Sequence, residues 1–431
     1  MARTLWLYNL YRALCTAHLH RPFYVFVFLD RGLSMAQIVM LHMIFSAAVI
    51  TLEVPTGAWA DRLGRRLSMG LGALLMAAAS VGYFLAPGFA GIAVCEFIFA
   101  AGLTLTSGAD SAYLYDQLRA AGRADEYLRR EATASGAKYI GLGVAAAAGG
   151  LLVHFVDIRA TFLVTAAVSF CAFLLTLFFP ATHDPARWSS APNEPRITER
   201  ITEAVSAIRR NRALLWVILY SSLIFVLIRV SDTLYQPVLR NQGFDMVGIG
   251  LAFAGLSFVA AMAALRLGRA SWERWQTPLL WAMPILLATC YVFVSMFGPV
   301  VAIALMVPHF VVTGVYSPVV KTIINEQLTD SGVRATVLSA ESAVKRVVVL
   351  GVTFVLGLIF EFSRSGGDQG VPSDRSLRPA LLLCGAIALL ALLTHYRFQR
   401  RTQREARAAS AQRPPPTVVA PPADGAPART P

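Results

Sequence analysis

The sequence predicts an all-α membrane protein of about twelve crossings, arranged as two pseudo-symmetric six-helix halves. Three observations carry this. Of 431 residues, 56% are hydrophobic and only 15% charged, whereas soluble domains carry about 25% charged residues. The apolar residues come in long blocks: Leu67–Ala86, Ala160–Pro180 and Leu279–Met306 contain no charge, and roughly 20 apolar residues are enough to cross a bilayer as helix. The net charge of +13 is gathered in the short gaps between blocks, the distribution of a membrane protein rather than of a nucleic-acid binder. Disorder is excluded for most of the chain, because disordered segments are poor in apolar residues. A soluble enzyme is excluded by the blocks.

The predicted crossings, in order, are Leu5–Asp30, Ala36–Ala60, Leu67–Ala86, Phe89–Tyr115, Ala132–Phe155 and Ala160–Pro180 in the first half. Ala213–Leu239, Met246–Leu267, Thr277–Phe297, Pro299–Gln327, Ala335–Phe362 and Pro379–Tyr396 follow in the second. Each is long and apolar enough for the bilayer core. The first is the most polar: Arg12, His18, His20 and Arg21 interrupt it, which argues against a cleaved leader and for a retained helix. One set of gaps holds Arg62, Arg65 and Arg66, then Arg119 to Arg130, Arg187 to Arg212, Arg266 to Arg274, and Arg397 onward. That set is expected on the cytoplasmic side, with both termini, in the bacterial inner membrane.

The domain reading is a six-helix bundle over 1–180, a cytoplasmic linker over 181–212, a second bundle over 213–397 and a disordered tail over 398–431. The linker carries Pro185, Pro192 and Pro195, then apolar residues at helical spacing from Ile197 to Ile208, which predicts an amphipathic helix. The end of the tail is rich in proline and alanine. A short repeat relates the halves: Gly32–Ile38 opens the second crossing and Gly243–Ile249 the eighth, with Ser34 and Asp245 as N-caps. The spacing of Ser34 and Gln37 fits a capping box. The five cysteines, Cys15, Cys95, Cys171, Cys290 and Cys384, are scattered, so no disulfide framework or metal site is expected.

Between the second and third crossings stands Gly57-Ala58-Trp59-Ala60-Asp61-Arg62-Leu63-Gly64-Arg65-Arg66. Gly57 and Gly64 permit close helix approach and a tight turn. Asp61 suits a helix N-terminus or an arginine. The segment resembles motif A of the major facilitator superfamily and matches every specified position. The resemblance extends to Glu53–Thr56 and Ser107–Asp116, covers the chain to about Tyr396, and points to the branch of bacterial drug and metabolite exporters. It implies that Asp61, Arg62, Arg65 and Arg66 latch the two halves, with Asp110 and Asp116, or the helix start near Arg334–Ser339, as partners. Two departures weaken the antiporter reading. No arginine lies between Glu96 and Gly102, and the glycine-rich fifth crossing (Gly141, Gly143, Gly149, Gly150) lacks the exporters' proline.

Ionisable residues inside apolar spans are costly in lipid and should face a cavity or a partner. The resemblance implies a cavity lined by the first, fourth, seventh and tenth crossings. Glu96 and Asp232 are the expected proton carriers, and Arg229, three residues from Asp232, is its expected partner. His18, Arg229, Tyr235, His309 and Lys345 are the expected cavity residues. His18 and His20 have a second reading, as residues of a helix break near Pro22. Glu341 and Lys345, four apart, are read chiefly as a structural pair. Catalytic and nucleotide-binding signatures are absent from the sequence, so no enzyme and no cofactor is expected; the proton gradient would supply the energy.

The function expected from the sequence is secondary transport by alternating access. Proton-coupled efflux of a hydrophobic or cationic small molecule comes first, since aromatics and acids suit lipophilic cations. Proton-coupled uptake of an anionic metabolite, with Arg229 and Lys345 holding the anion, is the alternative. A non-transporting membrane sensor or assembly protein is the third. The expected partners are a small-molecule substrate and the lipid bilayer, without nucleic acid, and the protein is expected to be a monomer.

Overall fold

The computed structural model describes residues 1–107, 109–123, 126–180, 211–267, 272–326, 331–363 and 370–411. All regular structure among them is helical. The first half contains α1 (Ala2–Leu14), α2 (Tyr24–Asp30), α3 (Met35–Leu63), α4 (Arg65–Leu85), α5 (Phe89–Thr106), α6 (Ala109–Ala120), α7 (Tyr127–Phe155) and α8 (Ala160–Thr176). The second contains α9 (Arg212–Asn241), α10 (Met246–Leu267), α11 (Trp272–Phe293), α12 (Pro299–Glu326), α13 (Ser331–Phe362) and α14 (Asp374–Ala411). Ten stretches, with α5 and α6 counted together, are long and apolar enough to cross a membrane, and α8 is a shorter apolar helix. Together with the broken pair α1–α2 these supply the twelve crossings.

The repeat at Gly32 and Gly243 is a matched pair of helix terminations. Gly32 has φ +80° and Gly243 φ +88°, the left-handed region that favours glycine. Leu33 N–H donates to the Phe28 carbonyl and Gly32 N–H to that of Leu29; Phe244 and Gly243 do the same to Leu239 and Arg240. These are Schellman closures, which satisfy the last carbonyls of α2 and α9. The next helix starts at once. Ser34 and Gln37 form the expected capping box, at 2.9 and 3.2 Å, and Asp245 accepts from Gly248 N–H at 2.7 Å.

Packing repeats as well. In the first half α4 packs on α5 and α8, α3 on α5, and α1 on α7. In the second, α11 packs on α12 and α14, α10 on α12, and α9 on α13. The halves meet along two further pairs, α3 with α13 and α7 with α10, which a two-fold rotation interchanges. The α7–α10 pair is tightest where Gly150 faces Gly250: a Cβ on Gly250 would lie 2.7 Å from the Ala146 carbonyl oxygen and 2.9 Å from Gly150 Cα. Small residues of this kind let helix backbones approach in a membrane.

Three features depart from the sequence reading. The first crossing is not one helix: the chain turns between Cys15 and Phe23, since Pro22 lacks an N–H and disfavours helix before it. The fourth crossing is interrupted after Thr106, where Ser107 is extended. The last helix runs on to Ala411, so the first part of the expected tail is helical; its Gln403–Ala411 stretch is built from good helix formers. The linker segment 181–210 and the tail 412–431 lie outside the described residues.

Candidate functional site

The break in the first crossing places Arg21 and Pro22 at the centre of the seam between the halves. Arg21 reaches across to Asp232 on α9. Its Nη2 lies 2.5 Å from Asp232 Oδ2 and its Nε 3.1 Å from the same oxygen. Arg229, one helical turn from Asp232, is further off at 4.0 Å. The expected Arg229–Asp232 contact is present but is the longer of the two. Arg229 shares a face with Asp232, but the carboxylate is turned toward the other half, where a charge-assisted hydrogen bond is available. Arg21 carried a sequence signal, a cation beside proline inside an apolar block, yet only the bent chain shows what it meets.

Gln236 ties the same junction. Its Nε2 donates to the Arg21 carbonyl at 2.9 Å and to the Asp232 carbonyl at 2.7 Å, while its Oε1 accepts from Val25 N–H at 3.1 Å. Arg21 and Pro22 lie beyond the end of α1, so backbone groups there lack helical partners; a glutamine side chain from the other half supplies one. Beside it, Tyr24 Oη lies 2.8 Å from Thr233 Oγ1 and 3.0 Å from His42 Nε2, and Thr233 Oγ1 lies 3.1 Å from His42 Nε2. This network joins α2, α3 and α9. His42 is a site residue that sequence reading did not select, although it is a titratable group within the apolar run of α3.

Two small cavities flank the junction. One, of ≈ 30 Å³, is lined by Arg21, Pro22, Tyr139, Leu142, Ser231, Asp232, Phe253, Ser257, Phe310 and Thr313, among others. Tyr139 crosses it, donating to the Thr313 carbonyl at 3.0 Å. The other, of ≈ 20 Å³, is lined by His42, Ser46, Arg229, Thr233 and Thr353 with a mainly aliphatic remainder. Each has room for a water or two and no more.

The other expected residues fall elsewhere. Glu96 on α5 is 9% exposed and sits at the Tyr83 hydroxyl within the first half; it lines neither cavity. His18, at the break, lies against His20 and Phe99, inside that half. Tyr235 and His309 are fully buried in the second half. The Tyr235 hydroxyl lies 2.9 Å from His309 Nδ1 and 2.9 Å from Cys290 Sγ, so this pair points into the bundle and away from the seam. Lys345 lies 2.7 Å from Glu341, whose carboxylate also accepts from Ser221 at 3.0 Å. Both members of the Glu341–Lys345 pair therefore satisfy each other.

At the basic end, Gly57, Asp61 and Arg62 continue α3, and their side chains lie outside the described ones, as do those near Arg334–Ser339. Gly64 turns the chain with φ +89°. Arg66 donates to the Leu177 carbonyl at 2.6 Å, at the end of α8. Arg65 starts α4, and Asp116 lies half-buried on α6. Asp110 is engaged by Arg12, which also approaches Glu131 at 3.8 Å. Arg12 is thus enclosed by two acids. Across the same end of the seam, Glu53 accepts from Ser342 at 3.1 Å and lies 3.7 Å from Arg346.

The Major Facilitator Superfamily profile matches residues 15–348. The chain belongs to the major facilitator superfamily. Solved structures of similar fold include the nucleoside transporter NupG, with TM-score 0.71 and 15% identity over 92% of this chain and 98% of that one. A bacterial homolog to the human lysosomal transporter Spinster, inward-facing and unoccupied, gives TM-score 0.71 and 16% identity over 93% and 97%. A D-xylose-proton symporter gives TM-score 0.67 and 14% identity over 90% and 94%. At these identities the likeness is one of fold. No curated protein matches the sequence. As a superfamily member the chain is a multi-pass secondary transporter of small molecules and not an enzyme.

Proposed function

We propose that this transporter couples substrate movement to protons through the Arg21–Asp232 pair. The observation that carries the reading is the position of the pair: a carboxylate bonded to a guanidinium across the seam, between elements that must separate for a substrate to enter. The two cavities are too small for an organic molecule, so access requires the halves to part. Protonating Asp232 removes the charge that holds Arg21 and favours parting; deprotonation restores the bond and closes the seam. A protein can couple two such events only if each favours the same one of two arrangements.

The basic end, with both chain termini, is the cytoplasmic side in this reading, and the membrane is the bacterial inner membrane. Glu96 serves as a second proton site only if the first half opens around it. Efflux of a cation has less support than the sequence suggested. Asp232 is the one carboxylate lining the two cavities among the described residues, and Arg21 already neutralises it. The test is reconstitution in liposomes containing a pH-sensitive dye. Substrate addition is expected to move protons with the wild type and not with Asp232→Asn, while substrate exchange at equal concentrations persists in the variant. Proton movement undiminished in Asp232→Asn refutes the coupling role.

A further inference from the structure

We infer that the cavity between α3, α9 and α13 is the subsite for the charged group of the substrate, and that this group is a carboxylate on a monovalent organic anion with an apolar body. The inference rests on the transporter reading above and adds the class of cargo. Four observations carry it.

First, Arg21 and Arg229 share one carboxylate. The charged lining of the two cavities is two guanidiniums against Asp232, a balance of one positive charge. A singly charged anion completes it; a cation raises it to two. Second, Arg229 is the less closely held of the two cations. Asp232 is bonded to Arg21 at 2.5 Å and stands 4.0 Å from Arg229. The guanidinium has no hydrogen bond to a protein acceptor among the described residues; it lies 5.7 Å from the centre of the Phe45 ring and within electrostatic reach of Glu96 and Arg346. It presents a fork of donors that matches a carboxylate.

Third, polar groups of the right kind surround it. The hydroxyls of Ser46 and Thr233 and the imidazole of His42 line the same cavity. Ser46 is 5% exposed, and His42 is fixed by Tyr24 and Thr233. Ser46 and His42 belong to one half, and Arg229 and Thr233 to the other. An anion held among them contacts both halves at once, as a substrate that drives closure must. Fourth, the rest of the lining is apolar apart from Thr353, whose hydroxyl donates to the Val349 carbonyl at 2.7 Å. Val39, Val230, Leu234, Val349 and Leu356 complete this cavity, which suits an aliphatic or aromatic body and disfavours a polyol or a second charge.

The test uses the full chain purified in detergent and three probes of one shape: benzoate, benzamide and benzylammonium. Binding is read by equilibrium dialysis of the labelled compounds. Benzoate is expected to bind the wild type, and benzamide and benzylammonium to bind at least about tenfold more weakly, the size of a lost charge-assisted contact. Arg229→Gln is expected to lower benzoate affinity at least about tenfold, with Arg229→Lys between the two. Ser46→Ala is expected to give a smaller loss. An unchanged gel-filtration profile shows that each variant is folded.

Benzylammonium binding that is stronger than benzoate, benzoate binding indifferent to Arg229→Gln, or no benzoate binding at millimolar concentration each overturns the inference. Failure here is separable from failure of the coupling reading. Benzoate bound through Arg229 without proton movement sinks the coupling and leaves the subsite. Proton movement driven by benzylammonium and lost in Asp232→Asn does the reverse.

Discussion

Replacing Asp232 by asparagine keeps the shape of the side chain and deletes the charge that Arg21 meets across the seam. Removing one member of a buried ion pair costs about 3–5 kcal/mol. Here the Arg21 side chain is 32% exposed and that of Asp232 14%, so water screens part of it and about 2–3 kcal/mol is the appropriate figure. The pair joins the halves, so this energy weights the closed arrangement against the parted one. Its loss corresponds to roughly a 30- to 140-fold shift in that equilibrium. The shift can be read by thiol labelling. In a Cys171→Ser background the remaining native cysteines are buried, and Ser257→Cys places a reporter in the cavity lining, 1% exposed. A membrane-impermeant maleimide is expected to react with it more than about tenfold faster in Asp232→Asn. Arg21→Gln should act equally, and the double variant should add little, because the two residues form one contact. Arg229→Gln should have a much smaller effect. An unchanged labelling rate in Asp232→Asn, or a larger effect of Arg229→Gln than of Arg21→Gln, refutes the reasoning.

Two further outcomes test the packing. Gly250→Val is expected to force α7 and α10 apart, since even its first carbon meets the Ala146 carbonyl at 2.7 Å; labelling at the Ser257→Cys reporter should rise, whereas Gly255→Ala, with open space around it, should leave the rate unchanged. For the basic end, Arg12→Ala and Asp110→Asn should each lower the apparent Tm in detergent, and the double variant should fall little further, giving a coupling of about 1–3 kcal/mol. Arg66→Ala combined with Asp110→Asn should be additive, because Arg66 bonds a carbonyl of α8 and not that carboxylate.

Much of the fold was legible because it follows from local rules. Uncharged runs define crossings through the bilayer's demand for apolar surface and internal hydrogen bonding. The Gly32 and Gly243 repeats were readable because helix closure needs particular residues at fixed offsets. Pro22 signalled the break at His18 and His20 for the same reason. The site was legible only in part. Ionisable residues in apolar spans pointed to Asp232 and Arg229, which lie at the seam, and helical spacing paired Glu341 with Lys345, which are 2.7 Å apart. The same rule offered His309, and the aromatic residues offered Tyr235, as cavity residues; the two lie 2.9 Å apart inside one bundle. Periodicity says which residues share a face. It does not say whether that face meets the partner half, its own bundle or lipid.

The sequence by itself determined the membrane class, the number of crossings, the two-half organisation and the superfamily, since each depends on composition, short spacings or a contiguous motif. The tertiary structure alone decided that Asp232 bonds Arg21, more than two hundred positions away, in preference to Arg229 one turn away. It also brought His42, Tyr24 and Thr233 together at the seam and enclosed Asp110 with Arg12. The physical reason is that a charge in a low-dielectric interior takes the partner that reaches it with hydrogen-bond geometry, and reach is set by how helices pack, not by distance along the chain.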